Sequence, residues 1–298
     1  MGGAFGPPPP SEAVLAIQIH MATVNTCNAR CNFCVYSKPE NTLPKGVMPM
    51  DLYKKIIDDA AAIPEIDSIA FSALGEPLLD RFLVERVAYA RKMRPDWTPF
   101  ELYTNGVGLT HEKFDALRDA GIDSLTISLN AVNPEQHEKI MGLKGLFGRV
   151  VDHADYARKN TKGKVDVLIK AVRDDVNFTV DDQVRFYLTW GMRLRPDLMP
   201  GHGQVVWMCN WAGGVPTVEG REIEPDSCCS RALTQLSILW DGKVTMCCYD
   251  PLNTFPLGDL NTQTIKEIYN AEKYVTFRED HYNEKASKYD LCRGCTRV

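Results

Sequence analysis

No uninterrupted apolar run in these 298 residues approaches the roughly 20 that a membrane-spanning helix needs, which excludes an integral membrane protein and a membrane partner. A surplus of positive charge is also missing: 34 Lys and Arg stand against 39 Asp and Glu, a net charge of -5. Nothing therefore points to a phosphate backbone, and no nucleic-acid partner is expected. The N-terminus has no basic segment followed by a long apolar one. Residues 1–10 carry glycines and four successive prolines instead, so no secretory signal is read and a cytoplasmic location is expected. Cysteine, by contrast, is abundant. Ten cysteines without an oxidising compartment to pair them point to metal binding or redox chemistry.

Apolar and charged residues at 44% and 24% are ordinary values for a globular chain, and the length suits one large α/β domain with a small appendage. Residues 1–13 read as a flexible lead-in. From residue 14 strands and helices alternate. Strands are predicted over 14–24, 66–71, 100–104, 122–129, 165–172 and 192–198. Helices are predicted over 51–63, 81–93, 110–120, 134–141, 147–160 and 179–190, with Thr110 as an N-cap and Gly121 as a stop. Six βα-type units in series imply a parallel sheet with right-handed crossovers, too few to close an eight-fold barrel. The rhythm fades after residue 199. Two short strands then flank Asp241-Gly242, a hairpin signal, and one helix is predicted over 264–281. The boundary between a domain of residues 14–205 and one of 206–298 is placed near residue 205.

Cys27, Cys31 and Cys34 form a C-x3-C-x2-C run directly after the first strand. Three thiolates that close can take three corners of one cubic iron-sulfur cluster and leave the fourth iron open to an outside ligand. A structural zinc site is the alternative and would need His20 or a remote cysteine as its fourth ligand. With the aromatic Phe33 before the third cysteine, the run resembles the signature of the radical S-adenosylmethionine superfamily. That resemblance implies a partial (α/β)6 TIM-like barrel, and a 4Fe-4S cluster whose open iron chelates S-adenosylmethionine to yield a 5'-deoxyadenosyl radical. Further segments match in order. Leu74-Gly75-Glu76-Pro77 resembles the family's GGEP segment, with Leu in place of the first Gly. Thr104-Asn105, after Tyr103, and Ser128-Leu129-Asn130 resemble its ribose- and carboxylate-binding positions, and Lys170 is a further carboxylate contact. All lie at predicted C-terminal strand ends, where parallel α/β sheets bind ligands.

Seven cysteines remain. Cys229, Gly242 and Cys247 reproduce the C-x9-15-G-x4-C pattern of the auxiliary-cluster domains called SPASM and Twitch, and Cys292-Arg293-Gly294-Cys295 supplies two further thiols. The resemblance implies a C-terminal domain of β-hairpin plus helix holding one fully ligated 4Fe-4S cluster, as in the shorter Twitch form; a zinc ribbon is the alternative. The doubled cysteines at 228/229 and 247/248 are resolved by the glycine spacing in favour of Cys229 and Cys247. Cys228 and Cys248 are then expected on the opposite strand face, and Cys209 has no assigned role.

A closed cluster has no site for substrate, so its expected task is to accept an electron. Hence a dehydrogenase is expected: the adenosyl radical takes a carbon-bound hydrogen, a base that the sequence does not identify takes a proton, and the auxiliary cluster takes the electron. The expected partners are a small-molecule or peptide substrate and an electron donor such as flavodoxin or ferredoxin. A peptide-modifying maturase, making thioether crosslinks or epimers, and a non-catalytic electron carrier are the alternatives. The first is disfavoured by the short lead-in. The second is disfavoured because a carrier has no use for the Gly75-Glu76-Pro77 and Ser128–Asn130 segments.

Overall fold

The structure, a computed structural model, describes residues 16–38, 43–71, 75–193, 201–208 and 229–295. The expected alternation is present. The strands are β1 (Ile17–Met21), β2 (Ile66–Phe71), β3 (Phe100–Thr104), β4 (Ser124–Ser128), β5 (Asp166–Arg173) and β6 (Gly203–Trp207). Between them run α1 (Met50–Ala61), α2 (Leu83–Met93), α3 (His111–Ala120), α4 (Pro134–Met141), α5 (Phe147–Lys159) and α6 (Val180–Trp190). Local chemistry sets the helix ends. Thr110 accepts from Lys113 N–H and caps α3, which Gly121 terminates at φ 107°, and Thr179 and Asp182 form a capping box on α6.

The strand order is β6-β5-β4-β3-β2-β1, all parallel, and follows the chain without a switch point. With right-handed crossovers throughout, sequential order puts every helix on the same face of the sheet. The sheet therefore curls with helices outside, as a partial (α/β)6 barrel, rather than winding helices over both faces. Side chains alternate accordingly. Ile17, Ile19 and Met21 are buried toward the helices, whereas Gln18 and His20 face the concave side.

Two expectations about elements need correction. The sixth strand is Gly203–Trp207; of the segment expected to form it, only Met192 and Arg193 lie among the described residues, and Met192 makes an isolated bridge to Gly203. The single helix expected over 264–281 is two, α8 (Ile265–Tyr269) and α9 (Glu272–Tyr282), because the chain turns at Asn270-Ala271. Thr264 and Glu267 form a capping box on the first.

The hairpin formed by β7 (Gln235–Ile238) and β8 (Lys243–Thr245) is antiparallel, as Asp241-Gly242 implied, and β9 (Pro256–Asp259) extends it. A short helix, α7 (Ser230–Thr234), leads into β7, and α10 (Asp290–Arg293) carries Cys292. β7 pairs in parallel with β1, Gln235 opposite Gln18 and Ser237 opposite His20, so one nine-stranded sheet runs from β6 to β9. The C-terminal hairpin thus extends the barrel wall beyond β1.

A buried ion pair fastens the segment after β2. Arg86 Nε donates to Asp80 Oδ2 at 2.7 Å, both side chains are wholly buried, and the same guanidinium also donates to the Met48 carbonyl. Replacing Asp80 with Ala strands the cation, so the Asp80→Ala protein should lose about 3–5 kcal/mol of stability, read from the urea midpoint at unchanged slope.

Candidate active site

At the C-terminal ends of the parallel strands lies a cavity of about 650 Å³. Its lining includes Cys27, Cys31 and Cys34. It also includes every residue expected to contact the cofactor: Phe33, Gly75, Glu76, Thr104, Asn105, Ser128, Asn130 and Lys170. Leu74 lies outside the described residues, as do Cys209 and Cys228.

The cysteine loop is held against the barrel by main-chain bonds, Arg30 N–H to the Met141 carbonyl at 2.8 Å and Asn32 N–H to that of Ile140 at 2.9 Å. Burial pushes the Cys27 thiol up to about 11, and it pushes Cys31 up further, helped by the charges of Cys34 and Cys27. Three crowded, half-buried sulfurs whose charges repel are a donor set that only a bound cation or cluster makes favourable as thiolates. Among the described residues no three His, Cys, Asp or Glu side chains converge on a point that one metal ion could occupy. A cubic cluster distributes its thiolates over separate irons, so the donors present suit a cluster better than a single zinc.

Gly75 has φ 72°, and a Cβ there would stand 2.3 Å from the Val24 carbonyl oxygen. Only glycine fits both the left-handed backbone and this approach to the end of β1. It delivers Glu76, whose carboxylate accepts from Thr104 Oγ1 at 2.6 Å, Asn105 N–H at 2.7 Å and Leu78 N–H at 3.1 Å. Burial raises its pKa, and these three donors oppose the rise. Asn105 Nδ2 in turn donates to Asn28 Oδ1 at 2.7 Å, which joins the end of β3 to the cysteine loop. Asn130, at φ 54°, accepts from Val172 N–H through Oδ1 at 3.0 Å, while Ser128 stands opposite Lys170 across β4 and β5.

The remaining cysteines divide between two surroundings. Cys229 precedes α7 as its N-cap, and Cys247 and Cys248 occupy the bend after β8. Neither Cys247 nor Cys248 sits within a strand, so strand alternation is not what separates these two. Cys247 is half-buried, its pKa raised by burial and by the charges of Cys248, Cys292 and Cys229, whereas Cys248 lines the cavity. Tyr249 N–H donates to Cys247 Sγ at 3.2 Å, and Cys292 Sγ lies 3.4 Å from His281 Nε2. Cys295 follows in the same turn, its N–H donating to the Cys292 carbonyl at 3.1 Å.

Five features of the site were not read from the sequence. On the concave face Gln18 Nε2 donates to Glu101 Oε2 at 3.1 Å, Gln18 Oε1 meets His20 Nε2 at 2.6 Å, and Tyr103 OH reaches Glu101 Oε2 at 3.4 Å. The polar residues at alternate positions of Ile17–Met21 were the available signal. Arg231 on the cavity wall and His281 at Cys292 had none, because each acquires its role from a strand pairing or helix packing distant in sequence.

A concave cavity at the strand ends of a partial barrel, lined by a three-cysteine loop and with a second cysteine group beside it, defines an iron-sulfur enzyme of the α/β barrel class. The family model described as the radical SAM superfamily matches residues 21–172, just over half of the sequence, and one described as an iron-sulfur cluster-binding domain, SPASM, matches residues 228–296. The chain belongs to the radical SAM superfamily and carries a SPASM domain; it is an enzyme of S-adenosylmethionine and 4Fe-4S clusters. It is 22% identical to the tungsten-containing aldehyde ferredoxin oxidoreductase cofactor-modifying protein of Pyrococcus furiosus, over 93% of this chain and 86% of that protein. It is 31% identical to the GTP 3',8-cyclase of Aquifex aeolicus over 59% of this chain and 54% of the cyclase, so the alignment spans about half of that relative. Among solved structures, BtrN in complex with AdoMet and 2-DOIA superposes with a TM-score of 0.68 at 22% identity, over 96% of this chain and 94% of BtrN. Streptococcus suis SuiB bound to precursor peptide SuiA gives 0.65 at 13% identity, over 89% and 67%. At such identities these two establish the shared fold. Among the described residues no helix is long and apolar enough to cross a membrane.

The fit of Gly75 yields a prediction. Gly75→Ala should displace the Glu76 loop and weaken S-adenosylmethionine binding at least tenfold in equilibrium dialysis of the cluster-loaded protein, while the iron content stays at the parent value.

Proposed function

We propose that this enzyme removes two electrons and two hydrogens from a small-molecule or peptide substrate, a dehydrogenation. In this reading Cys27, Cys31 and Cys34 hold the cluster that binds S-adenosylmethionine, and Gly75, Glu76, Thr104, Asn105, Ser128, Asn130 and Lys170 surround the cofactor with Phe33. Cys229, Cys247, Cys292 and Cys295 hold an auxiliary 4Fe-4S cluster. The observation that carries it is a single cavity bordered at one end by the three-cysteine loop and at the other by Cys248 and Tyr249, next in sequence to Cys247. When bound, the cofactors would supply a carbon-centred radical that takes a hydrogen atom, made with an electron from an external donor such as flavodoxin or ferredoxin, and a one-electron acceptor that takes the substrate's electron and passes it on.

This chain's own residues supply the proton acceptor, His20. Glu101 as a carboxylate can only accept, so the Gln18 amide nitrogen faces it and the Gln18 carbonyl faces His20. His20 Nε2 therefore carries the hydrogen of that 2.6 Å bond, and Nδ1 carries the lone pair. Burial first, and the Arg231 charge second, lower the His20 pKa to about 4, so the imidazole is neutral through the physiological range. A neutral ring on the cavity wall, its tautomer held by the Gln18–Glu101 chain, is the proton acceptor of this reading for a substrate O–H or N–H.

Anaerobically reconstituted protein should contain about eight irons per chain, and the triple Cys27→Ala, Cys31→Ala, Cys34→Ala variant about half of them. Cys31→Ala alone should form no 5'-deoxyadenosine. Four irons in the parent protein, or no cleavage of S-adenosylmethionine after reduction, would overturn the reading.

His20 gives a second prediction, with its sign set by the lowered pKa. Between about pH 6.5 and 4 the unfolded chain binds a proton that the folded chain does not, so His20 costs stability as pH falls through that window. His20→Asn should remove part of this acid sensitivity in urea midpoints compared at pH 7 and pH 5. The same variant should still form 5'-deoxyadenosine, while oxidised product from a turned-over substrate falls by about 10²–10⁴-fold.

A further inference from the structure

Arg231 lines the cavity, as does Cys248 of the second group of cysteines. It lies two residues after Cys229, within α7, and Tyr249 lies two residues after Cys247. The guanidinium carbon is 5.1 Å from the centre of the Tyr249 ring, and Tyr249 N–H donates to Cys247 Sγ at 3.2 Å. The strand pairing of β7 with β1 and the β7–β8 hairpin therefore bring this cation to both halves of the site at once. Its charge acts on Cys229, Cys247 and Cys248 from one side and on His20 from the other. Arginine holds its proton under all relevant conditions, so this is a fixed positive charge in a half-buried position.

We propose that Arg231 is a positioning charge for electron transfer: it raises the reduction potential of the auxiliary cluster and so makes that cluster the acceptor for an electron leaving the cavity. The inference rests on the auxiliary cluster of the function proposed above. A cluster that gains one electron becomes more negative by one charge, and a nearby fixed cation stabilises the reduced form more than the oxidised form. Along the path from cavity to cluster, the same cation lowers the energy of the arriving electron before it reaches the iron. Arg231 needs no contact with substrate to do this.

The test uses the full chain with both clusters reconstituted, reduced stepwise with dithionite and followed by electron paramagnetic resonance. Arg231→Met keeps the aliphatic stem and removes the charge, Arg231→Gln does so with a polar end, and Arg231→Lys keeps the charge. The neutral variants should shift the auxiliary midpoint downward by at least about 59 mV, a tenfold change in a one-electron equilibrium. Arg231→Lys should recover most of that shift, and the midpoint of the Cys27-Cys31-Cys34 cluster should move less in every variant. Eight irons per chain with an auxiliary midpoint unmoved in both neutral variants overturns the role of Arg231 alone. Four irons in the parent protein overturns it together with the proposed function.

Discussion

The Glu76 carboxylate is the interaction on which the arrangement of the site depends. It is buried, and a buried carboxylate persists only where donors replace the water it has lost. Thr104 and Asn105 from the end of β3, and Leu78 from the turn after β2, provide them. Neighbouring strand ends are thereby locked in register at the rim of the barrel, and Asn105 passes the constraint to Asn28 in the cysteine loop. The Gly75 approach to Val24 closes the same knot on the β1 side. A residue expected to touch the cofactor thus also holds together the three loops around it.

Around the cavity, the electrostatics are set by desolvation rather than by opposed charges. Burial is the first cause of the shifts at Cys27, Cys31, Cys247 and His20 alike, and each shift favours the neutral form. The cavity wall consequently holds neutral, oriented groups and few fixed charges. Lys170 and Arg231 are the Lys and Arg side chains among its lining, at the cofactor end and the hairpin end respectively. Polar side chains such as Gln18 and Glu76 can line the concave face because sequential strand order leaves it without covering helices. The hydrophobic core lies instead between the strands and the outer helices, where Ile19, Phe71, Leu102 and Ile127 are fully buried.

The β-hairpin shows how differently local and distant interactions are written into a chain. Asp241-Gly242 marks the turn because few residue pairs tolerate its backbone, and the two strands pair Ile238 with Val244 and Ser237 with Thr245, close in sequence. The pairing of β7 with β1 spans more than two hundred residues and has no comparable local mark. It nevertheless sets the proximity of Arg231 and Cys248 to the cavity. The break at Asn270-Ala271 and the displacement of β6 to Gly203–Trp207 likewise come from packing and pairing that hydrophobic spacing does not record.

The sequence by itself determined the alternating strands and helices, the class of the fold and the three-cysteine and strand-end segments that meet around the cavity. Cysteine spacing, glycine at a strained turn and the ends of βα units are local constraints that chain geometry imposes within a few residues. Only the tertiary structure decided what those residues do to one another. It made Glu76 a strut, carried Cys247 and Cys248 from a strand into a bend, and formed the His20–Gln18–Glu101 chain across β1 and β3. Hydrogen bonding and desolvation depend on which distant side chains become neighbours, and that is settled when the sheet assembles.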